Sequence, residues 1–268
     1  MKRIVLFTDK LNSDALELLG KSLSENGCSL ETGIPRDSYI EKKGDLVIVD
    51  SFVNYLHFKE KCLILINKPE DMDEFSGARY FVMEPEYAEF DYFEKIYKRL
   101  NNLPWDILTT ERLLLRETVE SDVDSFYEMY KDPDMTRYTE KLYDDPGEEK
   151  KYVAEYREKV YSTQGFGIWT VIEKKTGRII GRAGLVSRAG FDRIELGFAI
   201  GKAYWNKGFG TEAVKGCIEY AKEHDLMPLQ ALVMEGNIAS EKLLKKTGLY
   251  YKETVNVNGV RYNKWVTD

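Results

Sequence analysis

Two kinds of hydrophobic pattern divide this chain. In the first hundred residues, continuous apolar runs alternate with helical stretches. The runs are Arg3-Ile-Val-Leu-Phe-Thr8, Asp45-Leu-Val-Ile-Val-Asp50, Cys62-Leu-Ile-Leu-Ile66 and Arg79-Tyr-Phe-Val-Met83, with a shorter one near 29–32. Runs without polar alternation suit strands buried on both faces, as in parallel sheets covered by helices. Leu16, Leu19 and Leu23 recur at helical spacing. Asn12 or Ser13 can cap that helix and Asn26-Gly27 can stop it. Phe90, Phe93, Ile96, Tyr97 and Leu100 set one face of a helix predicted over 86–100. The pattern predicts a small Rossmann-like or flavodoxin-like domain with a parallel sheet over 1–104.

Asn101-Asn102-Leu103-Pro104 breaks that helix, and 104–108 reads as a linker. Beyond it the pattern is mixed, so the whole is an α/β chain of two domains, the second over 108–268. Thr110-Glu-Arg-Leu-Leu-Leu-Arg116 predicts a strand, and helices follow over 119–131 and 146–161. The runs 167–172 and 179–185 flank Lys175-Thr-Gly177 as a hairpin, and 193–200 is a further strand. A helix over 211–224, a strand over 228–234 and a helix over 239–247 come next. Two strands around Asn258-Gly259 close the chain.

Composition narrows the classes. The 268 residues fit two domains, and no apolar run approaches the roughly 20 residues that cross a bilayer. The basic and apolar start is too short for a secretory leader. A cytoplasmic protein without a membrane partner is expected. Net charge is −7, of which −6 falls in residues 1–107, arguing against a nucleic-acid partner. Cys28, Cys62 and Cys217 form no CxxC pair, so no metal site and no disulfide framework are expected; each reads as a buried small hydrophobe. His224 reads as a helix-end residue, and with His57 the only other histidine, His-based catalysis has little material.

The N-terminal pattern offers little chemistry. It has neither G-x-G-x-x-G nor a Walker loop. Asp9 and Asp50 end strands, where open α/β sheets place their sites. This resembles a response-regulator receiver. However, Asn67 and Glu84-Pro85 stand where that family supplies a hydroxyl and Lys-Pro. Asp50 therefore reads as a loop-ordering or capping carboxylate before a phosphoacceptor.

The C-terminal pattern offers more. In Gly197-Phe-Ala-Ile-Gly-Lys-Ala-Tyr-Trp-Asn-Lys-Gly-Phe-Gly-Thr-Glu-Ala213 a strand passes through a glycine loop into a helix. Free amides and the dipole at such a helix start favour an anion. Gly208 and Gly210 lack Cβ atoms that would hold a diphosphate off the main chain, and Lys207 adds charge. A plain strand-to-helix turn is the alternative. Downstream, Asn237 and Ser240 open another helix, where either can point at a ligand or merely cap.

Together these stretches resemble the GCN5-related N-acetyltransferase (GNAT) superfamily, closest to its RimJ/RimL-like branch. The resemblance spans 108–268 and includes Thr110–Arg116, Gly167–Val171, Ile180-Gly-Arg-Ala-Gly184 and the Trp205–Ala213 loop. Trp205 stands where the superfamily usually has Gln or Arg, as it often does in that branch, and Asn206 replaces a common glycine. The resemblance implies a mixed α+β fold with acetyl-CoA as cosubstrate. It places Phe198, Ala199 and Ile200 along the pantetheine arm. The amides of Lys207, Gly208, Phe209, Gly210 and Thr211 would hold the pyrophosphate, Asn237 the pantetheine side, and Ser240 the region of the sulfur.

The implied reaction is direct attack of a primary amine on the thioester, through a tetrahedral intermediate. An alkyl ammonium near pKa 10.4 costs roughly 4–5 kcal/mol to deprotonate at pH 7, so a base is expected, directly or through water. Glu195 is the first candidate, sharing a strand face with Gly197 and Ala199. Its alternative is a surface glutamate or a partner of Arg182 or Arg193. Ser240 is the candidate acid, because Leu244 occupies the position of the superfamily's usual tyrosine; Tyr250 and Tyr251 are fallbacks. Residues 138–146 and 187–192 are expected to line the acceptor cleft. The acceptor, a small molecule or peptide N-terminus, is not readable, and a homodimer is left open. A catalytically decayed acyl-CoA sensor is the competing reading, and an N-terminal domain that gates the transferase is a third.

Overall fold

A computed structural model of the chain describes residues 1–8, 10–58, 61–75 and 77–268; Asp9 lies outside the described residues. The chain divides into two compact units, 1–105 and 106–268.

In the first unit, β1 (Arg3–Phe7), α1 (Ser13–Glu25), β2 (Ser29–Glu31), β3 (Asp45–Val49), α2 (Phe52–His57), β4 (Leu63–Leu65), β5 (Phe81–Val82) and α3 (Phe90–Leu100) follow in order. The strands lie as β2-β1-β3-β4-β5, all parallel, which is the flavodoxin-like order. Burial explains why the runs lack polar residues. Ile4, Leu6, Leu46 and Ile48 pack against Leu19 and Leu23 of α1 and Phe93 and Ile96 of α3. Val5, Val47, Val49 and Ile64 pack on the other face against Tyr55 of α2 and Phe75. Each fully buried aliphatic side chain contributes about 1.5–3 kcal/mol. The Asn12 side chain caps α1 by accepting from the Ala15 amide at 2.9 Å.

The last helix is shorter than the sequence predicts. Pro85–Tyr87 is a separate 3-10 turn, and Ala88 and Glu89 are extended before α3 begins. Asp50 orders a loop: Thr8 Oγ1 donates to its Oδ2 at 2.7 Å, while Ser51 caps α2.

The second unit holds an eight-stranded mixed sheet. Its edge strand β6 (Asp106–Thr109) occupies much of the segment that reads as a linker, and β7 (Leu113–Arg116) follows. Then come α4 (Val123–Tyr130), a one-turn α5 (Pro133–Thr136) that the pattern did not predict, and α6 (Pro146–Tyr156). From α6 the chain passes through a π-helical turn, Arg157–Tyr161, into α7 (Ser162–Gln164). Next are β8 (Ile168–Glu173), β9 (Arg178–Val186), β10 (Ile194–Ile200), α8 (Phe209–Glu223), β11 (Leu229–Met234), α9 (Ile238–Lys246), β12 (Tyr250–Val257) and β13 (Val260–Val266).

Ala213, Val214, Cys217 and Ala221 of α8 pack on the sheet face made by Trp169, Val171, Ala183 and Leu196. The opposite face faces α4, where Phe126 lies against Arg182. All three cysteines are buried and none is in a disulfide. His224 stacks on Tyr220 at the end of α8. No helix among the described residues is long and apolar enough to cross a membrane, and no cluster there could hold a metal ion.

Candidate active site

The parallel neighbours β10 and β11 pair only at Ile194↔Leu229 and Glu195↔Gln230, then diverge. On its other edge β10 stays paired with β9 as far as Ile200↔Gly181. The Gly201 amide donates to Ile180 O at 2.8 Å. Alternation therefore turns the backbone groups of Gly197 and Ala199 toward β9 and those of Phe198 and Ile200 toward the opening. The Trp205 indole N–H takes the Ile200 carbonyl. Phe198 is left with an N–H and a C=O that no strand partners.

Helix α8 starts at the mouth of this opening. Gly208 is its N-cap at φ +82°, and no side chain caps it. Among the described residues the amides from Gly208 to Thr211 find no acceptor, which is the polarity an anion needs. Asn206 takes φ +59°, which asparagine tolerates, so the missing glycine costs the loop little.

Two expectations for this loop change. A Cβ on Gly210 would sit 2.9 Å from Leu243 Cδ1, so close packing of α8 on α9 explains this glycine as well as ligand access would. The Lys207 ammonium turns back onto Ala203 O at 2.8 Å and the Tyr204 ring. The cation set at the loop is Arg112. Its Nη1 donates to Lys207 O at 3.0 Å, and its guanidinium covers the Phe209 ring. Glu212 fixes it, accepting from Arg112 Nε at 2.6 Å, from the Arg112 amide at 2.8 Å and from Thr110 Oγ1 at 2.6 Å. The Thr-x-Arg opening of the Thr110–Arg116 stretch therefore ties β7 to the first turn of α8. Burial would raise the Glu212 carboxyl, but these donors hold it below the ordinary glutamate value.

Glu195 is buried, not a surface residue, and its partner is neither Arg182 nor Arg193. Arg188 clamps it: Nε donates to Oε2, and Nη2 donates to Oε1 at 3.0 Å. Arg193 instead donates to Thr267 O at 2.9 Å. Burial pushes the Glu195 carboxyl above the ordinary glutamate value, and Arg188 pulls it back only in part. One rung across, on the same sheet face, lies Gln230. It is fully buried, and neither of its amide atoms has a partner. A glutamine interrupting the apolar run 229–233 was the sequence signal for it.

The loops around Glu195 meet each other. Arg188 Nη2 reaches Glu140 at 3.4 Å. The Tyr138 hydroxyl lies 3.5 Å from where a Gly236 Cβ would stand, at the end of β11. Asn237 is the N-cap of α9: its Oδ1 accepts from the Ser240 amide at 3.2 Å, leaving its Nδ2 as donor. Ser240 stands half-buried in that first turn. Leu244 is wholly buried core. Tyr250 and Tyr251 sit on edge strand β12, separated from the opening by β13 and β11, and half exposed. Strand order removes them from the site.

A mixed sheet opened between two parallel strands above a bare helix N-terminus is the frame of this site. The acetyltransferase (GNAT) domain model matches residues 112–250, more than half of the chain, and the chain belongs to that family. It is an N-acetyltransferase, and the family's reaction is acetyl transfer from acetyl-CoA. It is 29% identical over 156 residues to the N-acetyltransferase YoaA of Bacillus subtilis, covering 56% of this chain and 85% of that one. An acetyltransferase from Agrobacterium tumefaciens superposes with TM-score 0.52 at 21% identity, over 60% of this chain and 93% of the other. RimL, the ribosomal L7/L12 α-N-protein acetyltransferase, in complex with coenzyme A, superposes with TM-score 0.50 at 13% identity, over 60% and 97%. At these identities the superpositions show the fold.

Proposed function

We propose that the protein acetylates a primary amine held between Glu195 and the open edge of β10. The observation that carries this is the two-rung pairing of β10 with β11, which leaves Phe198 backbone groups free beside a buried carboxylate. The free edge of Phe198, Ala199 and Ile200 receives an amide-bearing arm as an added strand. The uncapped amides of Lys207, Gly208, Phe209, Gly210 and Thr211 receive the pyrophosphate, with Arg112 beside them. Asn237 Nδ2 faces the same arm from α9.

The donor supplies an activated acyl carbon and a thiolate leaving group. The residues do the rest. Glu195 removes a proton from the ammonium, directly or through a water held at the unpartnered Gln230 amide. Its raised pKa brings it nearer the working pH, where base catalysis is most efficient. The freed amine forms a bond to the carbonyl carbon, and the Phe198 N–H stabilises the developing oxyanion. The C–S bond then breaks. Ser240, or solvent, protonates the sulfur, whose thiol pKa of about 8.5 makes this the lesser demand, and the second proton that the nitrogen sheds as the amide forms replaces the one given up.

The test is acetyl-CoA-dependent thiol release against peptides, polyamines, amino sugars and amino acids. Release with one amine class supports the reading. Binding of acetyl-CoA with no release on any class rejects it.

A further inference from the structure

A further charged group on the sheet face of Glu195 is Arg182; on the same face Arg116 is already paired with Asp122. From β9 it stands opposite Ala199 of β10 and opposite Thr170 of β8, so its side chain shares the sheet face of Glu195 and Gln230. Its surroundings are aromatic. The guanidinium lies 5.0 Å from the centre of the Phe126 ring. Burial raises the hydroxyls of Tyr130, Tyr152 and Tyr156; the Arg182 charge lowers each in part, and the Tyr130 hydroxyl also accepts a hydrogen bond from the guanidinium. Its Nε is buried and donates to nothing. No carboxylate among the described residues lies within ion-pair distance of it. Glu149, which also acts on Tyr130 and Tyr152, instead accepts from the Tyr143 amide at 3.1 Å.

A half-buried guanidinium walled by rings and lacking an anion is an unusual expense in a folded protein, since buried charges are normally paired. Its fork is built for a carboxylate or phosphate. Its position fixes what could bring one. Neighbouring strands lie about 4.7–4.9 Å apart and residues advance about 3.3 Å along a strand. Arg182 therefore reaches a point on the order of 5–10 Å from the Phe198 N–H, the span of a few covalent bonds.

We propose that Arg182 is the anion-binding end of the acceptor site and receives a carboxylate carried a few bonds from the reacting amine. This rests on the acetyltransfer reading above and narrows its substrate class to small amino acids and their close analogues. Glu195 and Arg182 then divide the acceptor. The carboxylate of Glu195 meets the ammonium, and the guanidinium of Arg182 meets the acid. The aromatic rings lower the local dielectric around the guanidinium and strengthen its contact.

The experiment compares kcat/KM for amino acids with that for their amides, in the parent protein and in Arg182→Met and Arg182→Lys. At least one acid is expected to exceed its amide by about 10- to 100-fold. Arg182→Met removes that advantage, lowering kcat/KM for the acid far more than for the amide, with KM for acetyl-CoA unchanged. Arg182→Lys keeps part of it, because the charge stays while the fork is lost. Equal rates for acids and amides in the parent, or equal losses on both in Arg182→Met, overturn the proposal and leave the acetyltransfer reading standing. Should no amine turn over, titration with N-acetylated amino acids decides. Binding to the parent but not to Arg182→Met upholds the anion site without the reaction, and no binding to either rejects it.

Discussion

Parallel strands sit side by side in both units, with different outcomes. In the N-terminal sheet β1 and β3 stay in register over five residue pairs, the full length of both strands. In the C-terminal sheet β10 and β11 share two pairs and then separate, although each continues for several residues. The first ladder satisfies its backbone groups and leaves the chemistry to loops. The second leaves a half-buried strand edge unsatisfied, beside a carboxylate and a glutamine that are buried. Unpaired polar groups in a core cost stability, so a fold that keeps them together is set up for something to bind there.

The sharpest way to break the comparison is Glu195→Gln. If the opened ladder serves proton removal, kcat falls by about 10²–10⁴-fold, the range for a positioned base, while acetyl-CoA affinity measured by titration holds. The pH profile has a definite sign. Glu195 works deprotonated, so the parent rate falls as pH drops through a pKa above the ordinary glutamate value. The glutamine variant lacks that acid limb. Unchanged kcat would make the Glu195–Arg188 pair a structural clamp for the 187–192 loop.

How much of this was legible beforehand depends on the range of the interaction. The parallel N-terminal sheet, the hairpin strands and the helix starts at Asn12 and Asn237 follow from local pattern, because burial and capping act within a few residues. Continuous runs such as Leu46–Val49 announce burial on both faces. The opening between β10 and β11 is not written in either strand, since register depends on both together. The partner of Glu195 was misjudged for the same reason: Arg188 returns to it only because the β9–β10 loop folds back. The Gly210 role also depended on tertiary contact, because Leu243 arrives from another helix. Gln230 was visible as a polar interruption of an apolar run, but its meaning waited for Glu195 to appear beside it.

Smaller effects separate the two ends of the opening. A side chain at Gly208 must adopt φ near +82°, which costs about 1–2 kcal/mol for an L-residue. Gly208→Val is expected to raise KM for acetyl-CoA by about 10-fold or more through displaced amides, with the acceptor KM unmoved. Arg112→Ala frees Glu212 and the start of β7. The expected rise in acetyl-CoA KM is about 3- to 10-fold, the worth of one hydrogen bond from a half-exposed group. A fall in kcat without a change in KM in either variant would move the anion cradle away from α8. As a control on the closed core, Cys217 should resist thiol alkylation at pH 8 in the folded protein, because burial pushes its thiol up to about 12.

The finest distinction concerns Asn237, where one side chain has two candidate duties. Its Oδ1 caps α9, and losing a cap costs about 1 kcal/mol, or about 2–4 °C in melting temperature for a unit of this size. Its Nδ2 is free to donate to the pantetheine arm, worth about 2- to 10-fold in binding. Asn237→Ala removes both, so it lowers the melting temperature and weakens acetyl-CoA together and cannot tell them apart. Asn237→Asp can. Aspartate caps a helix as well as asparagine does, so the melting temperature returns to the parent value. The carboxylate cannot donate, so a ligand-contacting Asn237 leaves acetyl-CoA KM raised in that variant. Recovery of both quantities in Asn237→Asp would reduce Asn237 to a cap and leave recognition of the arm to the free edge of β10.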